Sequence, residues 1–219
     1  MIFLFCGYRD WTLELYAKLS KKFNMKLISS PKILTIKKVR EINPEMIFFP
    51  DWSWIVSKVI LKNYPCVCFH ESDLPKFRGG SPIQNQIING ITKTKTTAFF
   101  MDEGLDTGNI IMKKGLSLQG SIQEIFQRMI SNDYDMIIKI IKGKYKIKKQ
   151  RGKPSVYKRR KPEDSELKHL NHSNLYLYNF IRMLGDPYPN AFIKIGTRKI
   201  IFKSIKQNKD KLEFRGVIE

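Results

Sequence analysis

The chain predicts a doubly wound α/β fold, a mostly parallel sheet with a small helix and β-hairpin appended at its C-terminal end. Three observations predict it. Short apolar runs of strand length alternate with segments whose apolar residues recur at helical spacing, which implies crossover connections and a sheet covered on both faces. Hydrophobic residues make up 42% of the chain and aromatic residues 12%, enough for a real core and far from disordered or collagenous composition. Near the end the period changes, and two β-like segments flank Gly196-Thr197 as a hairpin. The length of 219 residues suits one large domain with an appendage. The predicted division is an α/β domain over 1–145, then a basic connector with a small helix and hairpin subdomain over 146–219.

Each element has its own signal. Ile2–Cys6 is an apolar run ended by Gly7, and Thr12–Lys22 carries Leu13, Tyr16, Ala17 and Leu19 at helical spacing. Lys26–Ser29 reads as a weak strand, Ile36–Ile42 as a short helix, Met46–Pro50 as a strand, Trp54–Leu61 as a helix and Cys66–His70 as a strand. Glu71–Ser81 is a long polar loop holding Pro75, Gly79 and Gly80. A short helix follows over Pro82–Asn89, with Pro82 in its first turn and Gly90 past its end. Thr96–Asp102 and Asn109–Lys113 read as strands around the irregular MDEGLDTG loop. Ser121 and Glu124 form a capping box that opens an amphipathic helix reaching toward Gly143. Residues 139–161 hold twelve basic residues and no acidic one, and read as an exposed connector. Asn174–Leu184 is a helix closed by Gly185 and Pro187, and Ala191–Ile195 with Lys199–Ile205 makes the hairpin.

Forty basic and twenty acidic residues give a net charge of +20, with 25 of the basic residues in 111–219. Such a charge attracts polyanions, and it also serves solubility without any partner. No apolar run approaches the ~20 residues of a membrane helix, and the first run is too short for a secretory signal. The three cysteines Cys6, Cys66 and Cys68 lie in strand-like stretches and are odd in number, which predicts a reducing, cytoplasmic setting rather than a disulfide framework. Their spacing supplies too few ligands for zinc, so no metal is expected.

Open α/β sheets bind ligands at the carboxyl ends of their strands, so chemistry is sought in the loop beginning at His70 and in the loop holding Asp102, Glu103 and Asp106. A carboxylate meeting the imidazole would orient it for general acid–base work. The stretch from Cys66 to Ile111, CVCFHESDLPKFRGGSPIQNQIINGITKTKTTAFFMDEGLDTGNII, resembles the core of the folate-dependent formyltransferases: a strand ending in Asn-x-His, then S-x-LP-x-x-RG-x-x-P, then D-x-G-x-DTG. YKRRKPEDSEL at 157–167 and IRMLGDPYPNAFI at 181–193 are similar to segments that follow the family's catalytic domain. The resemblance implies a formyltransferase-like Rossmann variant and formyl transfer from 10-formyltetrahydrofolate to an amine, with His70 and Asp106 on the family's catalytic positions. Ser72, Leu74, Pro75, Arg78, Gly79 and Pro82 fall on its loop residues. Cys68 stands where family members carry the Asn that donates to the developing oxyanion. Period-two alternation puts it on the face of His70, but a thiol is a poor donor. A covalent role for Cys68 is the lesser reading, since buried strand cysteines are usually inert.

Among the family's branches, the glycinamide ribonucleotide enzymes carry a Gly-rich phosphate loop after the first strand, where this chain has CGYRDW. The methionyl-tRNA enzymes carry a larger C-terminal β-domain than the helix and hairpin expected here. The resemblance therefore points to the short nucleotide-sugar N-formyltransferases. It implies a nucleotide-linked amino sugar as acceptor for surface glycans, no nucleic acid partner, and a homodimer formed through the C-terminal hairpin. Arg78, Gly79, Asp102, Leu105 and Trp52 are the expected folate contacts, and Tyr8, Arg9, Ser72 and Pro75 the expected acceptor contacts. Two alternatives stay open: a homologue that binds folate or nucleotide with impaired catalysis, and a truncated tRNA-directed, RNA-binding relative.

Overall fold

The computed structural model describes residues 1–219. The apolar runs become β1 (Phe3–Cys6), β3 (Met46–Pro50) and β4 (Cys66–His70), with β2 (Met25–Ile28) on the edge. Together with β6 (Lys93–Phe100) and β7 (Ile110–Ser117) they make one six-stranded sheet in the order β2-β1-β3-β4-β6-β7. The first four strands are parallel, while β6 pairs antiparallel with β4 and β7 antiparallel with β6. The expected doubly wound, largely parallel sheet is therefore present, with an antiparallel extension on one side.

Side-chain alternation along the strands divides the core into two layers. Phe3, Phe5, Phe48, Val67 and Phe69 face α1 (Asp10–Ser20) and α5 (Ile122–Ile141), where Leu15, Leu19, Ile125, Met129 and Ile137 meet them. Leu4, Cys6, Ile47, Phe49 and Cys66 face the other way, onto α2 (Ile36–Ile42) and α3 (Lys58–Asn63) through Val39 and Ile60. Burial pushes the Cys66 thiol up to about 12 and Cys6 well above its usual value, so both behave as small apolar side chains. The capping box opens α5 as its sequence implied: Ser121 Oγ accepts from Glu124 N at 3.3 Å, and Glu124 Oε2 accepts from Ser121 N at 2.7 Å. No helix is long and apolar enough to cross a membrane.

Three local readings change. Helix α3 begins at Lys58 rather than Trp54, capped by Ser57, because Trp54 is drawn against Tyr8 and Trp52 at ring distances of 4.5 and 4.9 Å. The short α4 (Pro82–Ile88) ends close to where it was expected. The basic segment is largely exposed, as expected, but it is held to the sheet and to the first site loop. It bridges β7 through Ile110 and Lys148, and its β8 (Val156–Tyr157) pairs in parallel with β5 (Arg78–Gly79). Finally, the C-terminal hairpin is a three-stranded antiparallel sheet of β9 (Phe192–Ile195), β10 (Arg198–Asn208) and β11 (Lys211–Ile218), packed on α6 (Asn174–Arg182). Charged residues on the solvent side of β11 hid its alternation.

Candidate active site

A cleft of about 770 Å³ opens where β1, β3 and β4 end, and Arg9, Asp51 and His70 line it just beyond or at those ends. One arm lies toward the α3 side of the sheet and is walled by Trp52, Val56, Cys68, Met101 and Leu105. The other arm lies toward α5 and is walled by Arg9, Glu71, Gln84, Met129 and Tyr188.

His70 and Asp106 meet at the junction. Because β6 runs antiparallel to β4, its last residues lie beside the start of β4, and Met101 N donates to Cys66 O at 2.8 Å. The loop after it must therefore run back along β4 to bring Asp106 to His70. Asp106 turns at φ +54° and its Oδ2 accepts from Gly79 N at 2.8 Å. That oxygen stands 3.8 Å from His70 Nδ1, an ion-pair distance rather than a hydrogen bond. The other ring nitrogen, Nε2, lies 2.7 Å from the Phe77 carbonyl oxygen. A carbonyl only accepts, so Nε2 carries hydrogen and Nδ1 is the atom free to take up and release a proton.

The basic segment holds this geometry. Phe77 N donates to Ser155 Oγ at 2.9 Å, and the Phe77 ring stacks on Tyr157 at 4.7 Å with planes 10° apart. Those two contacts aim the carbonyl that fixes the His70 tautomer. Gln150 Nε2 donates to the carbonyls of Asp106 and Gly108 at 2.8 and 2.9 Å, pinning the second loop. Gly79 has φ +95°, and a β-carbon there would run into the Tyr157 carbonyl oxygen.

Several expected contacts are placed differently. Arg78 does not line the cleft: its Nη2 donates to Gln150 Oε1 at 2.7 Å, so it braces the Asp106 loop instead of gripping an anion. Ser72 is fully buried, its Oγ donating to Lys76 O at 2.6 Å. Pro75 lies outside the cleft, its carbonyl accepting from Ser155 N. Both make hydrogen bonds within the loop, and neither lines the cleft. Tyr8 bonds Ser53 Oγ at 2.7 Å and backs Trp52 and Trp54 rather than lining the cleft. Arg9 does line it, but its guanidinium is engaged by Asp51 at 2.8 Å and lies over the Tyr188 ring. Trp52, Gly79, Asp102 and Leu105 line the cleft as expected. Trp52 Nε1 is buried without a partner, while Asp102 Oδ1 accepts from Thr107 Oγ1 at 2.5 Å and from Gly104 N at 3.0 Å, stapling the loop.

Cys68 also lines the cleft, and burial, with the Asp106 and Glu71 carboxylates adding to it, pushes its thiol well above the usual value. That shift favours the thiol over the thiolate and argues against the covalent reading. The residues that sequence reasoning missed are Asp51, Glu71, Gln84, Gln150, Ser155, Tyr157 and Tyr188. Asp51 follows β3 directly, so the carboxyl-end rule applied to His70 finds it as well. Gln150 and Tyr157 stand among lysines and arginines with no periodic signal.

Comparison with known proteins supplies the context. The model of the formyl transferase family matches residues 20–141, and that of the methionyl-tRNA formyltransferase C-terminal domain matches 162–218. A methionyl-tRNA formyltransferase from Clostridium acetobutylicum is 34% identical over 73% of this chain and 54% of its own length. The chain spans between about half and two thirds of the first curated relatives it matches, at 54% and 63% of their lengths. The solved structure of a methionyl-tRNA formyltransferase from Clostridium thermocellum superposes with a TM-score of 0.95 at 40% identity, covering 100% of this chain and 99% of that one. A sugar N-formyltransferase from Shewanella, at 16% identity and a TM-score of 0.68 over 99% of this chain and 97% of that one, shares the fold alone. These findings overturn the expected amino-sugar acceptor and the expected absence of a nucleic acid partner. The small size of the C-terminal part misled: 162–218 matches the model of the methionyl-tRNA formyltransferase C-terminal domain, and the Clostridium thermocellum structure is matched over nearly its whole length.

Proposed function

Because the chain belongs to the formyl transferase family, we propose that it transfers a formyl group from 10-formyltetrahydrofolate to the α-amine of a methionyl-tRNA. The full-length likeness to the Clostridium thermocellum methionyl-tRNA formyltransferase carries this reading. The cleft fits both substrates. Its α3-side arm offers apolar walls and the unpartnered Trp52 Nε1, suited to the flat, polar-edged ring of the folate. Its mouth is lined by Lys158 and Arg159, exposed side chains that suit the phosphates of an RNA end.

In the reaction the amine nitrogen bonds to the formyl carbon, giving a tetrahedral oxyanion, and the bond from that carbon to N10 of the folate then breaks. His70 Nδ1 takes the proton the amine loses, and Asp106 stabilises the imidazolium so formed. The same proton passes to N10 as the folate leaves. The test is formylation of methionyl-tRNA by the purified chain, read as formylmethionine released on deacylation. Failure at stoichiometric enzyme, with the donor shown to bind, would overturn the acceptor assignment.

A further inference from the structure

The α5-side arm of the cleft holds buried polar groups with nothing to bind. Glu71 is 5% exposed and Gln84 3% exposed, yet Glu71 Oε1 and Gln84 Nε2 have no hydrogen-bond partner. Both residues line the cleft, and so does Tyr188, whose hydroxyl the Gln84 amide faces without reaching full hydrogen-bond geometry. Orphaned acceptors and donors are costly to a folded chain, so a pair of them facing one cavity points to a ligand that supplies the complement.

The charge around them says what the ligand carries. Asp133 of α5 is fully buried, with neither carboxylate oxygen bonded, and Asp51 has the guanidinium of Arg9 as its ionic partner. Burial, together with the carboxylates of Asp51 and Asp133, pushes Glu71 well above the usual carboxylate range. Arg9 is ion-paired to Asp51 alone, so Glu71 and Asp133 have no ion-pair partner, and a cation entering beside Glu71 would be drawn in.

We propose that Glu71 and Gln84 form the subsite for an α-amino ester, Glu71 receiving the ammonium group and Gln84 Nε2 donating to the ester carbonyl. The inference deepens the reading given above and rests on it for the identity of the acceptor. Glu71 follows His70 directly in the chain, so an amine held there enters at the end of β4 where the proton-carrying imidazole stands. A carboxyl acceptor at this position selects a free amine over an acylated one, so product, once formylated, loses its main anchor.

The test uses methionine methyl ester and N-acetylmethionine methyl ester as probes, titrated into the full chain saturated with 5-formyltetrahydrofolate. Wild-type protein binds the free amine at least about tenfold more tightly than the acetylated ester. Glu71→Gln, equal in size and uncharged, weakens binding of the free amine roughly ten- to a hundredfold and removes the discrimination. Its affinity for 5-formyltetrahydrofolate and its melting temperature do not fall. Glu71→Asp keeps the discrimination in part. Equal binding of the two esters, no binding of either, or discrimination retained in Glu71→Gln overturns the proposal. Methionyl-tRNA formylation without ester discrimination would sink the subsite alone, whereas discrimination without tRNA formylation would keep the subsite and sink the tRNA reading.

Discussion

Asp106 Oδ2 stands 3.8 Å from His70 Nδ1 while accepting a hydrogen bond from Gly79 N, so one carboxylate both faces the imidazole and ties the two site loops together. Replacing it separates the two tasks. Asn at position 106 retains an oxygen for Gly79 N but loses the charge that stabilises the imidazolium. Asp106→Asn is expected to lower kcat by about 10²–10⁴ with the Tm within a few degrees of wild type. Steady-state formylation and thermal unfolding of the same preparation check it, and an unchanged kcat would remove Asp106 from the mechanism.

Ser155 acts at one remove, through Phe77. Without its Oγ, the Phe77 N–H loses its acceptor, and the carbonyl that fixes the His70 ring loosens. Ser155→Ala is expected to reduce kcat roughly ten- to a hundredfold, the range seen when hydrogen bonds that orient metal-bound histidines are lost. The KM for the folate should stay unchanged, since Ser155 does not line the cleft. Ser155→Thr, which keeps the oxygen, should restore most of the rate; a Thr variant as slow as the Ala variant would mean that Ser155 acts by packing.

Asp133 predicts a pH dependence of stability. Burial first, then the nearby Asp51, pushes its carboxyl well above its usual value near 3.8, while Lys114 pulls weakly the other way. An acid whose folded-state pKa is raised binds its proton more tightly folded than unfolded. Its contribution to stability is therefore full at low pH and declines as pH rises from the ordinary carboxylate range toward the folded-state value. Asp133→Asn keeps the shape and removes the ionisation. It is expected to stabilise the protein by ~1–3 kcal/mol at neutral pH, or about 2–4 °C in Tm per kcal/mol, and to flatten the decline over the range from ordinary carboxylate titration up to neutral pH. Melting curves across that range decide it, and a Tm that falls in Asp133→Asn contradicts the burial argument.

What the sequence made legible divides along physical lines. The strands ending at Cys6, Pro50 and His70 were readable because burial on both faces leaves nearly unbroken apolar runs, and α5 because its capping box and apolar period agree. The His70–Asp106 pairing was readable from the resemblance to the formyltransferase motifs, although the antiparallel course of β6 that makes the loop double back was not. Gln150, Ser155 and Tyr157 were illegible: they act through single hydrogen bonds and one ring stack in a lysine-rich segment, where the only ladder is two residues long. The contact Arg78 makes was also hidden: the motif resemblance suggested an anion for its guanidinium, whereas here one of its nitrogens donates to the Gln150 side chain.

Charge at the cleft mouth yields a salt dependence. Lys158 and Arg159 are exposed and line the opening, and the flanking segment 139–161 carries no acidic residue to offset them. Each phosphate contact contributes about 0.7–0.9 to the slope of log affinity against log salt. The double variant Lys158→Ala/Arg159→Ala should lower that slope for methionyl-tRNA by about 1.4–1.8 and leave folate affinity unchanged. An unaltered slope would place the RNA on another face.

Cys68 carries the sharpest test of the oxyanion. It lines the cleft one strand repeat before His70 and on the same face of β4, where related enzymes place an asparagine amide. Its thiol, kept protonated by burial and by the carboxylates around it, is a weak donor. Losing one oxyanion donor typically costs about 10²–10³ in rate, so installing one at a vacant position recovers part of that factor. Cys68→Asn is expected to raise kcat about tenfold or more with the KM for folate nearly constant, because the amide acts on charge that exists only in the transition state. Cys68→Ala serves as the control, since it removes the thiol without adding a donor and should leave kcat within a factor of about two or three of wild type if the thiol contributes little. A Cys68→Asn enzyme no faster than wild type would show that another group already donates to the oxyanion, and a large loss in Cys68→Ala would identify the thiol itself as that group.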